Sequence, residues 1–180
     1  MNIAQGWLSD ATRLESPNKD QRPDGDTINL LVIHNISLPP EQFGGPHIGE
    51  LFCNQLNPDF HPYFAEIAQL RVSSHVLIDR MGVVTQFVPF EQRAWHAGVS
   101  EFEGRQNCND FSIGIEMEGA DTIAYTDYQY AALARVTQLL LSQYPGITAE
   151  RIVGHSHIAP GRKTDPGPAF DWPRYKQMLS

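Results

Sequence analysis

The 180-residue sequence has only two cysteines, Cys53 and Cys108, and they do not form a C-x-x-C pair. A cysteine-based zinc site or thiol redox motif therefore has no support, although one disulfide between the two remains open. The sequence also lacks any apolar run that approaches the roughly 20 residues needed for a membrane-spanning helix. We therefore expect no membrane partner.

The N-terminus, MNIAQGWLSD, lacks the basic start and apolar run of a secretory signal. We accordingly expect reduced, buried thiols and a cytoplasmic location. Basic residues are scarce, since 13 Lys and Arg stand against 21 Asp and Glu and the net charge is −8. A protein that binds the nucleic-acid backbone needs a basic face, so we expect no nucleic-acid partner. No obligate protein partner is evident, and a local basic patch around an anionic small substrate remains open.

Apolar residues are present in an ordinary amount, because hydrophobic side chains make up 41% of the chain and charged side chains 19%. This balance argues against disorder, and the chain is long enough to bury a proper core. We expect one domain over residues 1–180. Residues 1–27 have few apolar side chains, so we expect them to pack on this domain as an N-terminal arm.

Apolar patterns predict an α/β (α+β) domain with a single mixed central sheet flanked by helices. The run from Ile28 to Ile36 is apolar on both faces, which is typical of a strand in the middle of a sheet. Thr126 and Gln129 have the spacing of a capping box before an amphipathic helix that ends near Pro145. Further expectations are strands at 111–119 and 151–155, a hairpin around 80–82, helices at 48–56 and 171–180, and a helix or ordered loop at 61–70.

Ionisable side chains interrupt the predicted strands at or near their ends. The apolar run LLVI precedes His34, IVG precedes His155, and Glu116 lies inside an Ile-Gly-Ile strand. Rigid elements of this kind hold the ligands of a site in place. The loop GHSHIAPGRKTDPG then brings Asp165 ten residues after His155, and its prolines limit its freedom.

His34, His155 and Asp165 offer two imidazoles and a carboxylate, which is a ligand set for catalytic zinc with a fourth position left open. The charge of the ion would lower the pKa of a bound water to about 7. Glu116 could then accept the proton and relay it to a leaving amine, and Lys163 could face the developing oxyanion. By spacing alone the prediction is weaker, because seven histidines allow several trios and each could be a hydrogen-bonded core residue.

Several segments resemble the N-acetylmuramoyl-L-alanine amidases of the type-2 amidase and peptidoglycan-recognition superfamily. They are LLVIHNISLPP, HPYF, SSHVLIDRMGVVTQFV, RAWHAGVS, CNDFSIGIEMEG and GHSHIAPGRKTDPGPAFDW. The resemblance covers nearly the whole chain. Within the superfamily it is greatest to the cytosolic enzymes that act on 1,6-anhydro-muropeptides.

This resemblance implies a zinc hydrolase with the type-2 amidase fold that recycles cell-wall fragments. It would cut the amide between the lactyl group of anhydro-muramic acid and L-alanine of the stem peptide. Removal of such fragments would also quiet the induction of β-lactamase. The ligands of one zinc ion fall on His34, His155 and Asp165, the acid/base glutamate on Glu116, and the oxyanion-stabilising lysine on Lys163.

The substrate is expected to be a small muropeptide, with candidate contacts near the ligands and on nearby loops. Aromatic faces cover apolar ring surfaces, amides can bond to the substrate, and guanidinium groups bind carboxylates of the peptide. These predicted substrate-binding residues are Asn35, Arg71, Trp95, Arg105 and Arg162.

Some interpretations stay open at the level of the sequence. Many relatives carry an aspartate where this chain has His157, which puts ligand tuning in doubt and makes His157 an alternative ligand. His75 and His96 are expected to be structural residues or supports of the ligands. Two other functions also remain: a non-catalytic domain that recognises peptidoglycan fragments, and an amidase that acts on polymeric peptidoglycan.

Overall fold

The computed structural model describes residues 1–179, which form twelve strands and five α-helices. The strands are β1 (Ile3–Ala4), β2 (Trp7–Leu8), β3 (Thr12–Arg13), β4 (Lys19–Gln21), β5 (Leu30–Ile36), β6 (Val76–Ile78), β7 (Val84–Gln86), β8 (Gln92–Ala94), β9 (Glu101–Phe102), β10 (Arg105–Gln106), β11 (Ser112–Glu118) and β12 (Ile152–Gly154). The helices are α1 (His47–Phe52), α2 (Pro62–Ile67), α3 (Asp127–Gln143), α4 (His155–Ile158) and α5 (Trp172–Gln177).

Six strands form a mixed sheet in the order β12-β5-β11-β6-β7-β3. Strands β12, β5, β11 and β6 are parallel, β7 is antiparallel to β6, and β3 is parallel to β7. The register pairs Glu116 with His34 and Gly154 with Ile33. Because parallel strands end at the same edge of a sheet, the ionisable side chains predicted at strand ends lie together. The predicted fold class is confirmed.

Strand β5 is buried on both faces, as its continuous apolar run predicts. Leu31 and Ile33 belong to the core cluster that includes α3. Leu30 and Val32 belong to a second cluster on the opposite face. Side chains alternate along a strand, so His34 points to this second face, where the site lies.

Helix α3 begins where the sequence predicts, at a capping box. Thr126 Oγ1 accepts from the backbone N–H of Gln129 at 3.1 Å, and Gln129 Oε1 accepts from the backbone N–H of Thr126 at 3.1 Å. The Gln129 amide also donates to the carbonyl of Glu118 at 2.9 Å and that of Ile78 at 3.3 Å. The helix terminus is therefore bonded directly to two strands of the sheet.

The N-terminal arm is joined to the sheet by strand pairing. Strand β3 is its edge strand beside β7, and β4 pairs with β8. Leu8 is buried in the main core, and Arg22 donates to the carbonyl of Ser112 at 2.8 Å. The arm thus adds a strand to the sheet and contacts the start of β11.

Two features differ from expectation. The segment 154–167, predicted as an irregular loop, contains the short helix α4, and the N–H of Ser156 donates to the carbonyl of Asp165 at 3.0 Å. Both cysteines are free thiols as predicted, but only Cys108 is fully buried and Cys53 is partly exposed. None of the helices in residues 1–179 is both long and apolar enough to cross a bilayer.

Candidate metal centre and active site

Three predicted ligand side chains converge at the end of the parallel strands. His34 Nδ1 lies 2.9 Å from His155 Nδ1 and 3.0 Å from Asp165 Oδ2, and His155 Nδ1 lies 3.0 Å from the same oxygen. Atoms about 2.0 Å from a tetrahedral zinc ion are about 3.3 Å apart, so a small expansion of this triangle accommodates the ion. Among residues 1–179 this is the one group of three or more His, Cys, Asp or Glu side chains arranged to hold a metal.

Each imidazole is also held through its second nitrogen. His155 Nε2 lies 3.0 Å from the carbonyl oxygen of Ala97, and His34 Nε2 lies 2.9 Å from His96 Nδ1. Hydrogen bonds of this kind orient a ligand ring and select the nitrogen that faces the metal. The donor set is therefore directed toward a common point, which is consistent with a cation site.

Burial and hydrogen bonding keep these ligands in the forms that bind metal. Burial lowers the pKa of His34 to about 4, against the opposing effect of Asp165. Burial alone would raise the pKa of Asp165, but its hydrogen bonds with His155 and His34 outweigh that effect and lower the pKa below its usual value. At neutral pH the site therefore offers a neutral His34 imidazole and an ionised carboxylate, the forms that coordinate zinc.

Glu116 lies on β11 beside His34, and its environment is unusual for a carboxyl group. It is 8% exposed, and its Oε2 has no hydrogen-bond partner among residues 1–179. Burial and the charge of Asp165 raise its pKa well above the usual value, while Lys163 acts in the opposite direction. A buried carboxyl group with an unpaired oxygen in a cleft is a candidate for proton transfer.

The trio opens into a cleft of about 350 Å³ that Glu116 and Lys163 also line. One side of the cleft is apolar and polar groups converge at the other, which is typical of small-ligand sites. No role for this apolar side could be predicted from the sequence, because its residues come from separate segments of the chain. They are Ile36, Leu38, Pro40, Leu51, Phe52, Tyr63, Ile67, Leu70 and Val72.

The predicted substrate-binding residues are divided between the cleft and its surroundings. Asn35 and Trp95 line the cleft. Asn35 donates to Asp121 Oδ1 at 2.8 Å, and Trp95 Nε1 donates to Asp20 Oδ1 at 3.2 Å. Both side chains are therefore fixed in place before any substrate binds.

The three arginines lie outside the lining of this cleft. Arg162 donates to the carbonyl of Ala97 at 2.7 Å, so it braces the loop that contacts His155. Arg105 donates to Asp26 Oδ1 at 2.6 Å, and Arg71 is exposed between two residues of the apolar side. Arg162 and Arg105 thus bond to distant parts of the protein, whereas Arg71 donates to the carbonyl of its neighbour Leu70 at 3.4 Å.

The sequence analysis left His157 open as an alternative ligand. His157 is exposed and lines a separate cavity with Trp172, so it lies outside the ligand trio. Among the residues that the sequence analysis missed is Ser112, whose Oγ lies 3.1 Å from His96 Nε2. Its contact depends on a tertiary approach that no local pattern predicts.

Comparisons with known proteins bear on the family of this chain. A family model described as N-acetylmuramoyl-L-alanine amidase matches residues 24–168. The 1,6-anhydro-N-acetylmuramyl-L-alanine amidase AmpD of Escherichia coli K12 is 60% identical over 180 residues, which cover 100% of this chain and 98% of that protein.

Solved amidase structures resemble this chain in fold. The crystal structure of a selenomethionine AmpD derivative has a TM-score of 0.97 at 58% identity and covers 100% of both chains. Escherichia coli AmiD, in complex with the substrate anhydro-N-acetylmuramic acid-L-Ala-D-gamma-Glu-L-Lys, has a TM-score of 0.63 at 29% identity over 88% of this chain and 60% of that chain. The fold therefore has close counterparts among solved amidase structures.

Proposed function

The chain belongs to the N-acetylmuramoyl-L-alanine amidase family, and we propose that it uses one zinc ion, held by His34, His155 and Asp165, for its reaction. It is a hydrolase that cuts the amide bond between 1,6-anhydro-N-acetylmuramic acid and L-alanine in peptidoglycan recycling. The observation that carries the proposal is the meeting of three ligand atoms beside Glu116 in one cleft.

The donor set fits zinc better than a harder ion. Two imidazoles and one carboxylate match known catalytic zinc sites, whereas magnesium and calcium are bound mainly by oxygens. When bound, zinc supplies a Lewis acid that polarises the scissile carbonyl and lowers the pKa of water. Three protein ligands leave a position open for that chemistry.

Glu116 is proposed to carry the proton. Its raised pKa makes the carboxylate a stronger proton acceptor than an exposed glutamate, and its unpaired Oε2 is free to accept. The group that accepts the proton from water is then the acid that donates it to the leaving nitrogen of L-alanine. The amine leaves as a neutral group, and Glu116 returns to its carboxylate form.

Lys163 is proposed to stabilise the negative charge that forms on the carbonyl oxygen of the substrate. It lines the same cleft as the ligands, two residues before Asp165 in the chain. A fixed cation near a developing oxyanion lowers the energy of the transition state more than that of the ground state.

A muropeptide is the proposed small-molecule ligand. The apolar side of the cleft and Trp95 suit the faces of the sugar ring, and Asn35 offers a polar contact next to His34. Arg71, Arg105 and Arg162 remain proposed partners of the stem-peptide carboxylates. For Arg105 and Arg162, binding would require an exchange of partners, because both are already bonded within the protein.

A cytoplasmic location is also proposed, together with an indirect effect on β-lactamase induction through removal of the fragments. The free thiols of Cys53 and Cys108 support a reducing compartment. Cell fractionation with an antibody against the untagged protein tests the location. Recovery in the periplasmic fraction would contradict it.

Product analysis tests the reaction itself. Purified protein with measured zinc content is incubated with anhydro-muropeptide, before and after chelation, and the products are identified by mass spectrometry. We expect a free L-alanyl peptide and the anhydro sugar only from the zinc-loaded protein, with recovery on return of zinc.

Intact sacculi and a His34→Ala variant serve as controls. We expect slow release of peptide from sacculi and no turnover by the variant. Binding of muropeptide without hydrolysis by a fully zinc-loaded protein would instead identify a recognition domain. Equal rates on sacculi and soluble fragments would identify an enzyme of polymeric peptidoglycan.

A further inference from the structure

A continuous row of polar contacts leads away from the metal centre through His34. His34 Nδ1 faces Asp165, and its Nε2 lies 2.9 Å from His96 Nδ1. His96 Nε2 in turn lies 3.1 Å from the hydroxyl of Ser112, on the buried strand β11. The row Asp165–His34–His96–Ser112 thus contains two imidazoles in series and ends on a hydroxyl.

We propose that His96 and Ser112 are positioning residues, which hold the ring proton of His34 on Nε2 and so leave Nδ1 free to bind the metal. A neutral imidazole carries its proton on one nitrogen only, and a ligand nitrogen needs its lone pair. With the proton on His34 Nε2, His96 Nδ1 must accept it. The proton of His96 is then on Nε2 and is donated to Ser112 Oγ.

The two proposed ligand histidines differ in how the position of their ring proton is fixed. His155 Nε2 faces the carbonyl oxygen of Ala97 at 3.0 Å, which can only accept, so the proton of His155 is fixed on Nε2. The partner of His34 can either donate or accept. The tautomer of His34 is therefore linked to that of His96 and to the direction of the bond between His96 and Ser112, so that all three change together.

The same row has a second arrangement with the same number of protons. In it, Ser112 donates to His96 Nε2, His96 Nδ1–H donates to His34 Nε2, and His34 Nδ1–H donates to Asp165. This arrangement suits the metal-free protein, because Asp165 then receives a hydrogen bond where it would otherwise bind the metal. Metal binding would break the His34–Asp165 hydrogen bond and reverse the direction of the other two, with no proton gained or lost by the two rings.

The surroundings hold His96 in this row. Gly114 leaves room for the ring, since a Cβ atom there would lie 2.5 Å from His96 Cγ. The backbone N–H of His96 donates to Asn109 Oδ1 at 3.1 Å. His75, whose ring centre is 5.8 Å from that of His96, stays outside the row because its Nδ1 accepts from the N–H of Gly114 at 3.1 Å.

This inference rests on the proposed zinc site, and its test uses the affinity for zinc itself. Variants His96→Leu, His96→Asn and Ser112→Ala are titrated with zinc in competition with a chromophoric chelator, after circular dichroism has established that they fold. Loss of an outer partner of a ligand histidine weakens metal binding about 10- to 100-fold. We expect such a loss in His96→Leu, substantial recovery in His96→Asn, whose amide oxygen can accept, and a smaller loss in Ser112→Ala.

His75→Asn is the matched control, since it alters a neighbouring buried histidine outside the row and should keep wild-type zinc affinity. Long-range proton–nitrogen NMR spectra of the wild-type imidazoles provide a second readout. With zinc we expect protons on Nε2 of both His34 and His96, and without zinc on Nδ1 of both.

Unchanged zinc affinity in His96→Leu would overturn the inference, as would a zinc-loaded wild-type protein with the His96 proton on Nδ1. Failure of the wild-type protein to bind zinc would instead refute the proposed function. The two failures are therefore distinguishable in one titration series.

Discussion

Glu116 and Glu118 point to the same face of β11, yet their environments assign them different roles. Glu118 accepts from the backbone N–H groups of Gly44 at 2.5 Å and Arg80 at 3.0 Å, whereas Glu116 Oε2 has no partner among residues 1–179. A carboxylate that is fully used in backbone bonds holds loops in place. One that is left unpaired in a cleft is available for chemistry.

We predict that Glu116→Gln retains zinc but loses about 100- to 10,000-fold in kcat, because an amide cannot accept and return the proton. Zinc content by elemental analysis and steady-state rates on anhydro-muropeptide measure the two effects. Glu118→Gln is the control, and it should keep most of its kcat while it loses stability, since its new N–H₂ group faces a backbone donor. Near-normal kcat in Glu116→Gln would remove this residue from the mechanism.

At the residue scale, the sequence predicted three candidate ligand side chains that the structure brings together. His34 and His155 could be found because each directly follows an apolar strand run, and Asp165 because its loop returns to the same edge. The contact between His96 and Ser112 could not be found, since it depends on the space above Gly114. Chemistry at strand ends is readable from a sequence, but the partners of those groups depend on packing.

Helix α3 shows how one element transmits its stability to the sheet. Its cap residue, Thr126, accepts from the N–H of Gln129 and donates to the carbonyl of Arg80 at 2.8 Å. The same hydroxyl thus closes the helix end and attaches it to the β6–β7 hairpin. Packing and capping reinforce each other at this point.

We predict that Thr126→Ala lowers the free energy of unfolding by about 1 to 2 kcal/mol, since it removes both hydrogen bonds. Urea unfolding followed by circular dichroism measures the loss. Thr126→Ser keeps the hydroxyl and should recover most of the stability. A loss as large in Thr126→Ser as in Thr126→Ala would mean that the methyl group, rather than the hydroxyl, matters.

At the element scale, segments with an apolar pattern were predicted, and short segments without one were not. Strand β5, the β6–β7 hairpin, helix α3 and helix α5 all occur where the sequence placed them. Other short strands, such as β3 and β8, were missed because each is defined by a distant partner. Helix α4, only four residues long, was taken for loop because no apolar period can establish itself over that length.

The proposed metal site joins parts of the chain that are far apart, which has consequences for the stability of the whole molecule. A metal that binds the native state and not the unfolded chain stabilises the fold by mass action. We predict that chelation lowers the melting temperature by several degrees, because this stabilisation is lost. Differential scanning fluorimetry with and without a chelator measures the shift.

His34→Ala is the control for this prediction, and its melting temperature should not respond to the chelator. A wild-type melting temperature that is unchanged after removal of the metal would show that metal binding does not stabilise the folded protein.

Buried histidines should make the metal-free protein sensitive to acid. Burial, assisted by the charge of Arg22, lowers the pKa of His75 to about 3. The unfolded chain takes up a proton near pH 6.5 while the folded protein does not, so the unfolded state binds more protons and stability falls as the pH drops toward about 3. For each such histidine the slope approaches about 1.4 kcal/mol per pH unit.

We predict that His75→Asn, in which the new amide oxygen can still accept from the N–H of Gly114, has a shallower dependence of unfolding free energy on pH. The difference from the wild type should be about 1 kcal/mol per unit between roughly pH 6 and pH 4. Urea unfolding of chelated proteins across this range measures it. Parallel curves for the two proteins would show that His75 accepts a proton in the folded state.

At the scale of the whole molecule, the resemblance to a family gave the fold, and the apolar pattern supported it. The pattern predicted one mixed sheet, but it did not predict that the N-terminal arm supplies an edge strand to it. That pairing links Thr12 with Thr85 and is specified by backbone groups, which every residue carries. The pattern of apolar side chains therefore contains little information about the pairing of β3 with β7.

His34 and Asp165 are separated by 131 positions, although their side chains lie 3.0 Å apart. A ribosome makes His34 first, and Asp165 becomes available only when translation is almost complete. The proposed metal site is therefore complete only after most of the polypeptide has been made. Nascent fragments that stop short of Asp165 would hold at most two of the three proposed zinc ligands. Under the proposed function, a cell limited in zinc would still synthesise the protein but leave it inactive.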